Sequence, residues 1–162
     1  MHLATFSLLL LGYATLFFAT ERGVAQSAEL SASRLRSAPT SIKLSKHSLT
    51  LTADLWYDNM PSVGNTYRKS LLGQITLSSS QSRFPRLSVK RVWVVHGEKV
   101  WSCRTEPQAV RPSPSVLQLR LTHTPSIDEL PSDAVVFVAA RLFYRNRTYL
   151  IRTPEQTVQT VY

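Results

Sequence analysis

The chain of 162 residues contains one cysteine, Cys103, only five glycines, and ten acidic residues against 19 lysines and arginines. A single cysteine excludes an intramolecular disulfide, so the fold has to rest on its apolar core. With no second thiol beside it, Cys103 is expected to be a small buried hydrophobe rather than a nucleophile. No G-x-S-x-G elbow and no S-x-x-K pair occurs anywhere in the sequence, which removes two local signatures of an activated serine. Beyond the first residues the histidines are His47, His96 and His123, isolated from each other and with no acidic cluster around them. No metal, cofactor or catalytic residue is therefore predicted, and the expectation is a protein that is not an enzyme.

The shortage of acids leaves a formal charge of +9. Removing residues 1–25 takes away Glu21 and Arg22 together and leaves that charge unchanged. Such a balance concerns solubility and attraction to polyanions, not the fold. The cations are scattered and form no nucleic-acid-binding motif, so no nucleic acid is expected as a partner. A solvated basic surface is the preferred reading. The alternative is a binder of acidic polymers or anionic surfaces through this charge.

Long hydrophobic runs are also scarce, with one exception at the start. Leu3 to Ala19 is nearly all apolar, and the small residues Gly23-Val24-Ala25-Gln26-Ser27-Ala28 follow it. This is the layout of a secretory signal peptide, assigned to residues 1–25, with cleavage after Ala25 or Ser27. It is preferred to an uncleaved membrane anchor because a small-residue cleavage site follows at the right distance. The expected location is secreted or periplasmic. Residues 26–40, rich in Ser, Ala and Arg, read as a flexible leader.

From Ile42 onward hydrophobic residues alternate with polar ones at period two, the mark of half-buried strands. The clearest run is Leu49 to Asp58, where Leu49, Leu51, Ala53, Leu55 and Tyr57 share one parity. Further strands are predicted over Leu72–Ser78, Leu87–His96, Val100–Arg104, Ser115–Leu121, Ala134–Tyr144, Tyr149–Arg152 and Thr157–Tyr162. Alternation slips around Arg91, which points to two-sided burial or a bulge. Gly97 and Asn146 mark hairpin turns, and Trp93 and Trp101 are expected to meet across the first. The prolines at 107, 112 and 114 keep the segment between two strands irregular. Ile127 and Leu130, on a turn between Pro125 and Pro131, are placed to cap the end of the core. The fold class expected for residues 41–162 is all-β, an antiparallel Greek-key β-sandwich of seven to eight strands, with a small barrel as the other architecture.

One stretch invites a functional reading. In "LTADLWYDNMP" (residues 51–61), parity places Asp54, Trp56 and Asp58 together on the face opposite the core, with Met60-Pro61 ending the strand. Asp54 and Asp58 are about 13 Å apart along an extended strand, too far for the paired carboxyls of a glycosidase. Asp54 and Trp56 are about 7 Å apart, close enough for an aromatic stacking platform with a hydrogen-bonding carboxylate. These three residues are the candidate ligand-binding set. The plainer reading is that Trp56 packs under another part of the chain.

The segment "DLWYDNMP" (Asp54 to Pro61), together with the closing "YLIRTPEQTVQTVY" (Tyr149 to Tyr162), resembles small exported bacterial proteins of unassigned function with an immunoglobulin-like sandwich. Tyr57 and Asn59 depart from that pattern, which has a basic residue and an aromatic at those places. The resemblance implies an immunoglobulin-like fold and bacterial export, and carries no activity or ligand. The functional expectation is thus a binding or structural module at the bacterial cell envelope, its partner an unknown protein or envelope polymer, with contact to an anionic surface as the other possibility. Mass spectrometry of the exported protein is expected to find a chain beginning at Gln26 or Ala28. Intact Met1 in the membrane fraction would overturn cleavage.

Overall fold

The computed structural model describes residues 30–58, 70–108 and 113–161. The signal-peptide reading and the strand end at Met60-Pro61 lie outside these residues. The described residues form ten strands and one short helix: α1 (Ala32–Arg36), β1 (Ser41–Leu44), β2 (His47–Asp58), β3 (Leu72–Ser79), β4 (Ser88–His96), β5 (Lys99–Pro107), β6 (Val116–Thr122), β7 (Val135–Tyr144), β8 (Arg147–Arg152), β9 (Gln156–Thr157) and β10 (Gln159–Val161). The fold is all-β, and its sheet is antiparallel along the order β1-β2-β3-β6-β5-β4-β7-β8. At the two ends of this order β1 and β2 come against β8, so the sheet curls nearly into a barrel. Outside the main path, β9 pairs with β7, and β10 pairs with β2 in parallel.

Period-two patterning explains which way each strand faces. Along β2 the residues Leu49, Leu51, Ala53, Leu55 and Tyr57 are buried, while the intervening ones are exposed or half-exposed. Opposite them Ile75 and Leu77 of β3 and Leu119 and Leu121 of β6 face the same interior. Gly73 is paired with Leu55, and a Cβ there would lie 2.6 Å from Leu55 Cδ2 and 2.8 Å from Leu121 Cδ1. The missing side chain lets those two leucines meet. The two predicted hairpins form as expected: Gly97 has φ 56°, and Arg145 and Asn146 have φ 46° and 61°, the left-handed pair that a tight two-residue turn requires.

Strand β5 does not keep one neighbour on its β4 side along its whole length. Residues Lys99 to Cys103 pair with His96 to Val92 of β4, and residues Arg104 to Pro107 pair with Thr122 to Leu119 of β6. On β4 the register to β7 skips between Val89 and Arg91, which is the bulge signalled by the slipped alternation.

Two expectations are corrected. The tryptophans do not meet: Trp93 is paired with Ser102 and Trp101 with Val94, so the rings lie on opposite faces of the sheet. Trp101 packs against the interior, whereas Trp93 belongs to a second cluster on the outer face with Val95, Phe137 and Ala139. That outer cluster is apolar, and the leader covers it. Ala32 and Leu35 of α1 are buried against it, so the chain from Leu30 to Thr40 is part of the fold rather than a flexible lead. Ser31 caps α1 by accepting from Arg34 N. Arg36 donates to the Gly97 carbonyl at 2.7 Å, and Arg152 donates to the Ala38 carbonyl at 3.0 Å, tying the second half of the segment to the sheet. The Arg141 guanidinium lies over the Trp93 ring at 5.2 Å, and those of Arg36 and Arg152 lie over Phe137.

One end of the interior is closed by the turn over residues 124–130. Its Leu130 is fully buried, with Ile127 packed beside it, as their spacing predicts. Ser126 N and Oγ both donate to the Glu129 carboxylate, and Glu129 N and Leu130 N return to the Ser126 carbonyl. Thr124 Oγ1 donates to the Leu71 carbonyl, joining this turn to the start of β3. From the last turn of the β2 core face, the buried Tyr57 hydroxyl donates to the Leu130 carbonyl at 2.6 Å. Burial and the nearby Glu129 carboxylate push the Tyr57 phenol up to about 12. Burial likewise pushes the Cys103 thiol up to about 11, which favours its protonated form.

Two measurements follow. Leu35→Ala is expected to cost about 2–5 kcal/mol in urea denaturation; an unchanged midpoint would show that α1 does not unfold with the sheet. Both Tyr57 and Cys103 hold their protons more tightly folded than unfolded, so stability is constant below their ordinary values and falls as pH rises through about 9 to 12. Thermal unfolding across that range is expected to show this loss, and the Tyr57→Phe, Cys103→Ala double variant to show a flatter profile. Identical slopes for the two proteins would contradict the assignment.

Candidate functional site

Parity fixes the outer face of β2, and pairing decides what surrounds it. Asp54 and Asp58 are exposed and Trp56 is half-buried, all on the side away from the core. Trp56 is in register with Leu72 of β3 on one side and Gln159 of β10 on the other. The ring is therefore neither sealed nor fully open. It stands between two shallow recesses, to both of which it contributes.

The first recess, about 160 Å³, is formed with Leu72, Gly73 and Gln74 of β3, Arg120 of β6 and Gln108 just past β5. The second, about 110 Å³, is formed with Asp54 and with Gln156, Thr157, Gln159 and Val161 of the closing strands. Asp54 and Trp56 thus share the second recess, the pairing that their spacing suggests. Asp58 is in register with Val161 at the end of β10 and lines neither recess. The three candidates lie on one face, and two of them meet in one concavity.

Each recess also carries an amide with an unmet hydrogen bond. Gln108 Oε1 and Gln156 Nε2 are buried and have no hydrogen-bond partner among the described residues. An unmet buried polar atom costs about 1–3 kcal/mol, which makes the pair notable on a face with so many other hydrogen-bonding groups. Around them Asp54 is opposite Gln74, Gln74 opposite Arg120, and Arg120 opposite Glu106. The result is a band of carboxylate, amide and guanidinium groups running across four strands beside an aromatic ring. Sequence reading found Asp54 and Trp56 by local parity. It missed Gln108, Gln156 and Arg120, because they reach the ring through pairings between strands distant in the chain.

The histidines have structural partners. His96 Nδ1 is 2.9 Å from the Val135 carbonyl, and His47 Nδ1 is 3.1 Å from Ser79 Oγ. Among the described residues no group of three or more His, Cys, Asp or Glu side chains is placed to hold a metal ion. Among the same residues no helix is long and apolar enough to cross a membrane. No protein-family model, curated protein or solved structure matches this chain.

Proposed function

We propose that this protein is an exported, non-enzymatic binding module of the bacterial cell envelope, and that its outer face around Trp56 holds a hydroxyl-rich polymer, a glycan chain. The reading is carried by the half-buried Trp56 ring standing between two recesses that each contain a buried glutamine amide atom with no partner among the described residues. A sugar ring presents C–H groups that pack on an aromatic face and hydroxyls that both donate and accept at its rim. Among the described residues Gln108 Oε1 lacks a donor and Gln156 Nε2 lacks an acceptor, so hydroxyls meet both needs after small rotations of the amides. Asp54, Gln74 and Arg120 extend the same chemistry along the sheet. The recesses, about 160 and 110 Å³, are well below the few hundred Å³ of an enclosed small-molecule pocket, and suit a chain lying across the surface.

The accompanying fold reading is the immunoglobulin-like Greek-key sandwich implied by the resemblance. Strands β4, β5 and β6 follow one another in space, and β3 lies beside β6, an order that supports a Greek key. The divided pairing of β5 supports treating the curled sheet as two packed layers joined by one strand.

Cosedimentation with purified peptidoglycan and with a neutral insoluble polysaccharide tests the proposal. The native protein is expected to be retained by at least one of them, and Trp56→Ala to bind about tenfold more weakly or worse, as for an aromatic anchor at the centre of a contact. Its thermal stability should stay close to native, since the ring is only half-buried. Equal retention of the two proteins, or of neither, would sink the reading.

A further inference from the structure

We infer that the cleft opened where β5 parts from β4 is a binding site for phosphate-type oxyanions, separate from the Trp56 face. The β4–β5 ladder ends at Val92 and Cys103, and from Arg104 onward β5 belongs to β6. The backbone edges beyond that point diverge, leaving a cleft of about 690 Å³, within the size range of small-ligand sites. It is lined by Lys90 and Arg91 of β4, Ser102, Arg104 and Thr105 of β5, and His123 just past β6.

The lining is one-sided in charge. Three cations and an imidazole converge on one concavity, and none of the described residues that line it is a carboxylate. Like charges gathered around a concave surface repel one another, and an anion between them removes that repulsion. The bulge between Val89 and Arg91 is what lets Lys90 and Arg91, adjacent in sequence, both contribute to the same cleft. His123 holds φ 54°, a left-handed conformation that histidine tolerates better than most residues, at the point where β6 ends.

The donor set fits a tetrahedral oxyanion. Guanidinium groups offer paired N–H donors that match two phosphate oxygens, lysine adds a mobile point charge, and the hydroxyls of Ser102 and Thr105 can donate to the remaining oxygens. Phosphate carried on an envelope polymer and free inorganic phosphate or pyrophosphate share this chemistry. Lys90 and Arg104 are exposed, so either has access.

Calorimetric titration of the full-length protein at low ionic strength, with pyrophosphate and with polyphosphate of fixed length, tests the site. The Lys90→Gln, Arg104→Gln double variant is expected to lose about tenfold or more in affinity, as charged hydrogen bonds are removed. The control is Arg83→Gln, Arg147→Gln, which removes the same two charges from exposed positions outside the cleft and is expected to bind as the native protein does. Cleft-dependent binding of pyrophosphate shows that a free anion suffices, and cleft-dependent binding of polyphosphate alone assigns the site to phosphate-bearing chains. Either supports the inference. Equal weakening in both variants would assign the affinity to the diffuse net charge and overturn it, as would no binding or no difference from native.

Discussion

The structure depends on how β5 divides its hydrogen bonds. A sheet of this length, with one face apolar and no disulfide to hold it, has to curl until that face is enclosed. The turn in direction is made where β5 leaves β4 after Cys103 and joins β6 from Arg104. Because the same strand serves both parts, the side chains of β2, β3 and β6 meet those of β4 and β7 in one interior. The cleft beside Arg104 is the outside of that corner, and the core at Cys103 is its inside.

The outer surface is consequently divided into two unlike faces. Over β4 and β7 it is apolar, and the chain covers it with α1, Leu35 filling the space above Trp93 and Phe137. Over β2, β3 and β6 it is mostly polar, with Trp56, Leu72 and Val116 as its apolar members, and α1 does not extend over it. Of the two outward-facing tryptophans, one is fully buried by its own chain and the other is left half-open between hydrogen-bonding groups. That contrast gives Trp56 its functional interest, since covering an apolar ring is the default and this chain applies it only to Trp93.

Much of the fold was legible because period-two alternation is a local property. The core face of β2, the hairpins at Gly97 and Asn146, and even the bulge near Arg91 each left a mark within a few residues. What was not legible was register. The offset of one residue that separates Trp93 from Trp101 depends on how the hairpin closes, and a one-residue shift reverses the face of a side chain. The leader was misjudged for a related reason. Five residues of helix give almost no periodicity, and α1 is stabilised by the cluster beneath it rather than by its own sequence. The candidate site was half visible on the same grounds: Asp54 and Trp56 are neighbours along one strand, whereas Gln108, Arg120 and Gln156 join them only through the sheet.

The parallel pairing of β10 with β2 has a consequence for the order in which the protein is made. Gln159 and Val161 wall one side of the Trp56 recess, yet they leave the ribosome long after Trp56 does. Up to that point the nascent chain lacks the β10 wall beside Trp56, and only the recess formed with β3, β6 and Gln108 can flank the ring. That recess is therefore a late product of synthesis, incomplete in any chain that ends before Gln156. A polypeptide that stops before Gln156 could still enclose much of its core and yet lack half of the surface proposed for recognition.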